Sequence, residues 1–369
     1  MTVSEINKKF VQKLNVERQV CDDYRQYLHG LLTEYVKDIE GLSLESIIVD
    51  LPIKLIHDQL VAEIKKSVSA LIRAYGYYSK GQLSTAIEIM RNRFIKGKNV
   101  VKFSTLSSSQ DWFRARKLTS IQSYEPKDMF HIPFEKRSEV VNYRFSITGY
   151  PCLYLGSSIL SCWEEMHCPS LDDFAVSRVN LTKGCEIQTL DIRLPDESAD
   201  NSALTDSDKR EENLMRLKTW PLIIACAIKT INPDSCFKYE YIHPQLLMLA
   251  MKETYKDLFG IMYTSTHFDN AWSVSMDKYT NVAIPVKKIQ TKGYCDALKR
   301  YFRLSRGIPF IEAEVKNVFG LVSNISLNEK TGLIGYYSYD DGSAPYEKTK
   351  FGQMEAFLKS SGVTLEQVK

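Results

Sequence analysis

The chain has 369 residues, 44% hydrophobic and 11% aromatic, so it can bury a sizeable core and is not a disordered polymer. At about 100–200 residues per domain, two or three units are expected. With 48 basic against 45 acidic side chains the net charge is +3, too small to mark a nucleic-acid partner, and none is expected.

The longest apolar run, Pro221–Ile228, falls far short of the roughly 18 residues of a membrane span. Met1–Val20 is charged and polar, unlike a secretory leader. None of the eight cysteines forms a C-x-x-C pair, and Cys162, His167 and Cys168 lack an evident fourth ligand. Buried reduced thiols, no metal and a cytoplasmic location are the expectation.

Residues 1–95 read as helical. Leu28, Leu31, Leu32, Tyr35, Val36 and Ile39 recur three and four apart, which makes one apolar stripe. Leu60, Ile64, Val68, Leu71, Ile72 and Tyr75 make a second, and Leu83, Ile87, Met90 and Phe94 a third. Gly41 and Pro52 punctuate the first gap; Gly76 and Gly81 bracket the second. The stretch 96–110, with Gly97 and Ser107-Ser108-Ser109-Gln110, reads as a linker. The basic run Arg91, Arg93, Lys96, Lys98 and Lys102 fits a solvated helix face better than a phosphate contact.

From Asp111 the pattern is mixed. Trp112–Arg116 alternates as a strand does, Cys152–Leu155 reads as a strand, and a helix follows from Ser157 to about Met166. Pro195–Asn213 is polar and reads as a surface insertion. Tyr241–Lys256 reads as a helix, and Phe259–Thr264 and Asn281–Val286 as strands. Lys299, Arg300, Arg303 and Arg306 suit an amphipathic helix with a basic face. Ile325–Tyr339 suits a hairpin, and Phe351, Met354 and Leu358 a short final helix.

Several chemistries lack their motif. There is no G-x-G-x-x-G, no G-x-S-x-G and no H-E-x-x-H, and Gln82 stands where a phosphate loop over Gly76–Gly81 needs lysine. What stands out instead is an ordered set of elements. Phe113-Arg114-Ala115-Arg116 comes first, then Arg144-Phe145, then Gly149-Tyr150-Pro151-Cys152-Leu153-Tyr154-Leu155. Paired carboxylates Glu164-Glu165 end the next helix; Tyr263-Thr264-Ser265 and Asn281–Pro285 follow.

This order resembles the RES-domain family, named for its Arg, Glu and Ser. That family shows an aromatic-Arg-x-Arg strand, an Arg-aromatic pair, a Gly-x-Pro-x-x-Tyr-Leu strand, a Glu eleven residues after the Tyr, a Tyr-x-Ser strand and an Asn-Val-apolar-apolar-Pro segment. Counting from Tyr154 gives Glu165. Ser146 stands where compact members often carry Asn, and the chain is much longer than a minimal member.

The resemblance implies an α+β fold: an ADP-ribosyltransferase-like mixed sheet with flanking helices, preceded by a helical N-terminal domain. The implied layout is a helical domain over 1–95, a linker over 96–110, a RES domain over 111–295 and an α+β extension over 296–369. The implied activity is cleavage of NAD at the nicotinamide–ribose bond, by hydrolysis or phosphorolysis, in a toxin or phage-defence effector. NAD is the substrate, and no further cofactor is expected. Transfer of ADP-ribose to protein and sensing of NAD or ADP-ribose without turnover are the alternatives. An antitoxin, a phage-derived trigger protein or a second copy are the partners such a role implies.

The residue types suit the reaction. Breaking the glycosidic bond builds positive charge on the ribose while nicotinamide leaves neutral, so a fixed carboxylate helps and no general acid is needed. Glu165 is the candidate for that role. Arg114 and Arg144 offer planar forks for the pyrophosphate. Tyr154 can stack on the cationic ring, and Ser265 can hydrogen-bond ribose or the nicotinamide amide. Arg116, His131 and Gln245 are secondary candidates for NAD binding. For each of them a salt bridge, a core tyrosine or a tied-down loop is the plain structural alternative. The functional reading expects Arg114, Arg144, Tyr154, Glu165 and Ser265 to converge on one cleft.

Overall fold

The computed structural model describes residues 1–15, 23–42, 53–97, 99–118, 124–196, 205–252, 258–267, 275–310 and 346–369. The hairpin expected over Ile325–Tyr339 lies outside them. The helical opening stretch forms α1 (Val3–Asn15), α2 (Tyr24–Glu40), α3 (Ile53–Ser79) and α4 (Leu83–Met90), which continues as a π turn over Arg91–Ile95. Then come β1 (Lys102–Ser107), β2 (Trp112–Lys117), β3 (Cys152–Gly156), α5 (Ile159–Glu165), β4 (Phe174–Leu181) and β5 (Glu186–Ile192). They lead into α6 (Asp206–Ala227), α7 (Ile242–Lys252), β6 (Leu258–Thr264) and β7 (Thr280–Pro285). α8 (Asp296–Tyr301), β8 (Phe302–Leu304), β9 (Ile308–Pro309), α9 (Lys350–Lys359) and β10 (Glu366–Gln367) follow. The fold is α+β, with a helical N-terminal stretch, as expected.

Three local expectations change. The stretch read as a linker carries β1. The stretch read as a surface insertion begins α6 at Asp206, where the Thr205 side chain accepts from the Asp208 N–H and the Asp208 carboxylate accepts from the Thr205 N–H. That reciprocal pair satisfies two donors that a helix start otherwise leaves orphaned. The basic helix expected around Lys299–Arg306 stops at Tyr301, and the chain turns extended as β8.

The contacts divide the chain into two compact units, neither of them a contiguous stretch. The first comprises Met1–Ser104, Val141–Thr148 and Gln188–Thr266. Here most of each predicted stripe is buried, although Leu83 at the start of α4 is exposed: α3 turns Leu60, Ile64, Ser67, Leu71 and Ala74 inward at alternating spacings of four and three. Val68 and Ile72 lie only at the margin. α1, α2 and α6 meet through Phe10, Tyr35 and Trp220, all fully buried, with Phe10 edge-on to Tyr35 at 5.1 Å. Pro221 sits inside α6 and has no N–H for Leu217, four residues earlier. The Tyr35 hydroxyl donates to that Leu217 carbonyl at 2.7 Å instead. β5 runs parallel to β6, with Thr189 opposite Gly260, and β1 lies on its other side.

The second unit comprises Thr105–Val140, Gly149–Ile187 and His267–Lys369. Its strands run β7-β3-β2-β4-β8-β10, antiparallel throughout, with β9 also on β4. Phe113 on β2 packs with Ile159, Leu160 and Trp163 of α5 and Phe351, Met354 and Leu358 of α9. The expected final helix is therefore the outer layer over one face of this sheet. Cys152, Cys162, Cys226 and Cys295 are buried free thiols, whereas Cys168 and Cys236 are exposed, against the expectation that thiols are buried.

Candidate active site

Glu165 ends α5, and three features of the second unit fix that helix. Gly156 closes β3 where a Cβ would meet Cys162 Sγ at 2.7 Å, the Ser158 carbonyl at 3.0 Å and Asn281 Oδ1 at 3.3 Å. Only glycine lets the chain turn this tightly from strand to helix. Ser158 caps the helix: its side chain accepts from the Ser161 N–H at 3.0 Å and donates to the Lys278 carbonyl at 2.6 Å. From α9, the buried Glu355 carboxyl accepts from the Ile159 N–H at 2.8 Å and the Tyr346 hydroxyl at 2.6 Å. Burial raises its pKa, opposed by those donors.

The far end of α5 carries Glu165 and the side chains that hold it. Ser161 lies one turn before Glu165, on the same helix face. Its hydroxyl donates to Asn281 Oδ1 at 2.6 Å, and Asn281 Nδ2 donates to Glu165 Oε1 at 2.7 Å. Ser161 and Asn281 are buried; of the two carboxylates Glu164 is buried and Glu165 exposed, so Glu165 is the one open to a ligand. Beyond it the His167 N–H donates to Glu164 O and the Cys168 N–H to Trp163 O. His167 and Cys168 take φ of +61° and +52°, a left-handed helix end built without glycine.

Strand register decides which candidates share this face. Gly156 pairs with Asn281 and Tyr154 with Ala283, so Tyr154 and Asn281 project to one side, as diagonal neighbours about 7–8 Å apart. Phe113 pairs with Gly156, which turns Arg114 and Arg116 to the opposite side. Both arginines donate to the Phe130 carbonyl, at 3.2 and 2.8 Å, and Arg114 also to the Tyr154 carbonyl at 2.9 Å. The expected convergence of Arg114 with Tyr154 and Glu165 is therefore not what the register gives: Arg114 and Arg116 tie the segment around Phe130 to the back of the sheet.

His131 belongs to that back layer. Its Nε2 accepts from the Cys295 N–H at 2.9 Å, so its Nδ1 carries the proton and donates to the Ile132 carbonyl at 2.7 Å. Burial, reinforced by Arg114 and Arg116 and opposed by the Ile132 carbonyl, pushes its pKa down to about 4. A neutral, enclosed imidazole with both nitrogens used is a structural group.

Arg144, Gln245 and Ser265 belong to the first unit. Arg144 Nη1 donates to the Cys226 and Ile228 carbonyls at 3.1 and 3.0 Å, the orphaned acceptors at the C-terminal end of α6. Nη2 donates to Thr230 Oγ1 and Thr266 Oγ1, both at 3.3 Å, and the guanidinium lies 5.1 Å from the Tyr241 ring centroid. Gln245 of α7 donates to the Tyr143 carbonyl at 3.0 Å, holding the turn that presents Arg144. Phe145 packs on Tyr263 at 4.4 Å. Two separated motif elements, Arg144-Phe145 and the Tyr-x-Ser strand, thus meet inside one unit. Ser265 is buried one residue past the end of β6.

Sequence reasoning assigned no role to Ser161, Asn281 or Glu355. Asn281 left a trace, since it opens the Asn281–Pro285 motif element and asparagine is depleted in strands. Among the described residues, no three His, Cys, Asp or Glu side chains are placed to share a metal ion, and no helix is long and apolar enough to cross a membrane.

Among known proteins, the chain is 30% identical over 350 residues to a Bacillus subtilis (strain 168) protein named "Putative toxin YopC". The match covers 93% of this chain and 77% of that one. No family model matches the chain, and no solved structure does.

Proposed function

The chain belongs to the family of the Bacillus protein YopC, and we propose that it is a toxin whose activity is cleavage of NAD at the nicotinamide–ribose bond. The name of the relative supports the toxin role. The ordered RES-like motifs support the substrate. The observation that carries the chemistry is Glu165 itself: an accessible carboxylate held at 2.7 Å by a buried amide, on the sheet face that also carries Tyr154.

In this reading Tyr154 stacks on the nicotinamide ring while Glu165 faces the ribose. Positive charge grows on the ribose as the bond lengthens, and the fixed carboxylate stabilises it as it forms. Nicotinamide departs neutral with the bonding electron pair. Water or phosphate then adds to the ribose carbon, giving ADP-ribose or its 1-phosphate. Arg144 acts through the turn it anchors, and Arg114, Arg116 and His131 through the layer they hold together. A protein that drains NAD needs a partner to restrain it, and an antitoxin is the expected one.

The test is nicotinamide release by purified protein from NAD, with and without phosphate, beside a Glu165→Gln variant. Release by the wild type and its loss in the variant support the proposal; release by neither, in either buffer, ends it.

A further inference from the structure

We infer that Asn281 is a positioning residue for Glu165, and that Ser161 sets the orientation in which Asn281 works; the inference rests on Glu165 being the reacting carboxylate. Glu165 sits on the last turn of a seven-residue helix, exposed, with three rotatable side-chain bonds. Such a group samples many rotamers unless something holds it. Asn281 lies on the neighbouring strand β7 and is 4% exposed, and its Nδ2 reaches Glu165 Oε1 at 2.7 Å.

The chemistry of this holder matters. A lysine or arginine there would also fix the carboxylate, but it would offset the negative charge that the growing ribose cation needs. An amide is neutral, so it orients the oxygen and leaves the charge in place. Its weakness is that an amide can turn over and present its carbonyl to the carboxylate, which would repel it. Ser161 favours the working orientation. Its fully buried hydroxyl donates to Asn281 Oδ1 at 2.6 Å, which leaves the Nδ2 edge of the amide to face Glu165. Ser161 and Glu165 are four residues apart, one turn, so one helix supplies both ends of the relay and one strand its centre. Gly156 keeps the space: it is the register partner of Asn281, and a Cβ there would come within 3.3 Å of Oδ1.

The experiment compares the full-length wild type with Asn281→Ala, Asn281→Asp, Ser161→Ala and Glu165→Gln in nicotinamide release from NAD, with melting curves for each. A reacting group displaced by about 1 Å loses on the order of 100-fold in rate. Asn281→Ala is therefore expected to lower kcat by about 100-fold with KM within about threefold, because the amide does not touch substrate. Asn281→Asp sets a second carboxylate against Glu165 and is expected to move the acidic limb of the pH–rate profile to higher pH, a signature a merely structural role would not give. Ser161→Ala frees the amide to turn and is expected to cost about tenfold in kcat. If Asn281→Ala fails to fold, Ser161→Ala decides alone. Wild-type-like kcat in Asn281→Ala and Ser161→Ala, with Glu165→Gln inactive, overturns the relay and leaves the proposed function standing. An inactive wild type, or a Glu165→Gln as active as wild type, overturns both.

Discussion

Replacing Arg144 by alanine should loosen the C-terminal end of α6 before it affects any ligand. Arg144 reaches two backbone carbonyls, on Cys226 and Ile228, each residue only 2% exposed. A buried acceptor left without a donor costs about 1–3 kcal/mol, so two cost roughly 2–6. Loss of the contact with the Tyr241 ring adds about 1 kcal/mol. Relief from burying the guanidinium offsets part of this, leaving a net loss of about 3 kcal/mol. That is about two decades in the local opening constant. Hydrogen exchange of α6 peptides spanning Leu217–Ile228 should therefore speed up about 100-fold in Arg144→Ala. Arg144→Lys should fall between, because one ammonium cannot serve both carbonyls and both threonine hydroxyls. Exchange within about threefold of wild type in Arg144→Ala would refute the assignment. The outcome also governs how kinetics are read: if α6 opens, lost turnover in that variant says nothing about a phosphate anchor.

Two further predictions concern stability. His167 occupies the left-handed helix end at φ +61°, where a side chain costs about 1–2 kcal/mol; His167→Gly should raise stability by about 0.5–1 kcal/mol after glycine's extra chain entropy, and a lowered melting temperature would contradict it. His131, with a pKa near 4 in the folded chain against about 6.5 unfolded, binds its proton more weakly when folded. Its contribution is therefore whole above about pH 6.5 and is lost as pH falls toward 4, by roughly 3 kcal/mol in all. His243, held neutral by burial with Nε2 at 3.0 Å from the Leu71 carbonyl, acts in the same direction in the first unit. Urea midpoints between pH 4 and 7 should fall with acid less steeply in His131→Gln than in wild type; an unchanged slope would remove His131 from the account.

The parts of this fold legible in the sequence are those where neighbours along the chain decide the outcome. Stripes at three- and four-residue spacing marked α2, α3 and α4, and alternation marked β2. No apolar stripe marks α6 anywhere along its length, because its first turns are polar and its last are uniformly apolar, although Thr205 and Asp208 carry the spacing of a reciprocal helix cap. The arginines were harder. Arg114, Arg116 and Arg144 carry the motif, but their partners are carbonyls on segments distant in sequence, which no spacing rule reveals. The same holds for Asn281, whose partners lie 116 and 120 residues away. The motif located Glu165; strand register and hydrogen bonds identify what holds it.

The most direct measurement of the central claim is nicotinamide release from NAD by the purified full-length chain, wild type against Glu165→Gln, with and without phosphate. Removing a group that stabilises developing charge typically costs about 100- to 1,000-fold in kcat. Release by the wild type and a loss of that size in Glu165→Gln, with its melting curve unchanged, are expected. A folded wild type that releases no nicotinamide in either buffer, or a Glu165→Gln that keeps pace with it, would contradict the account.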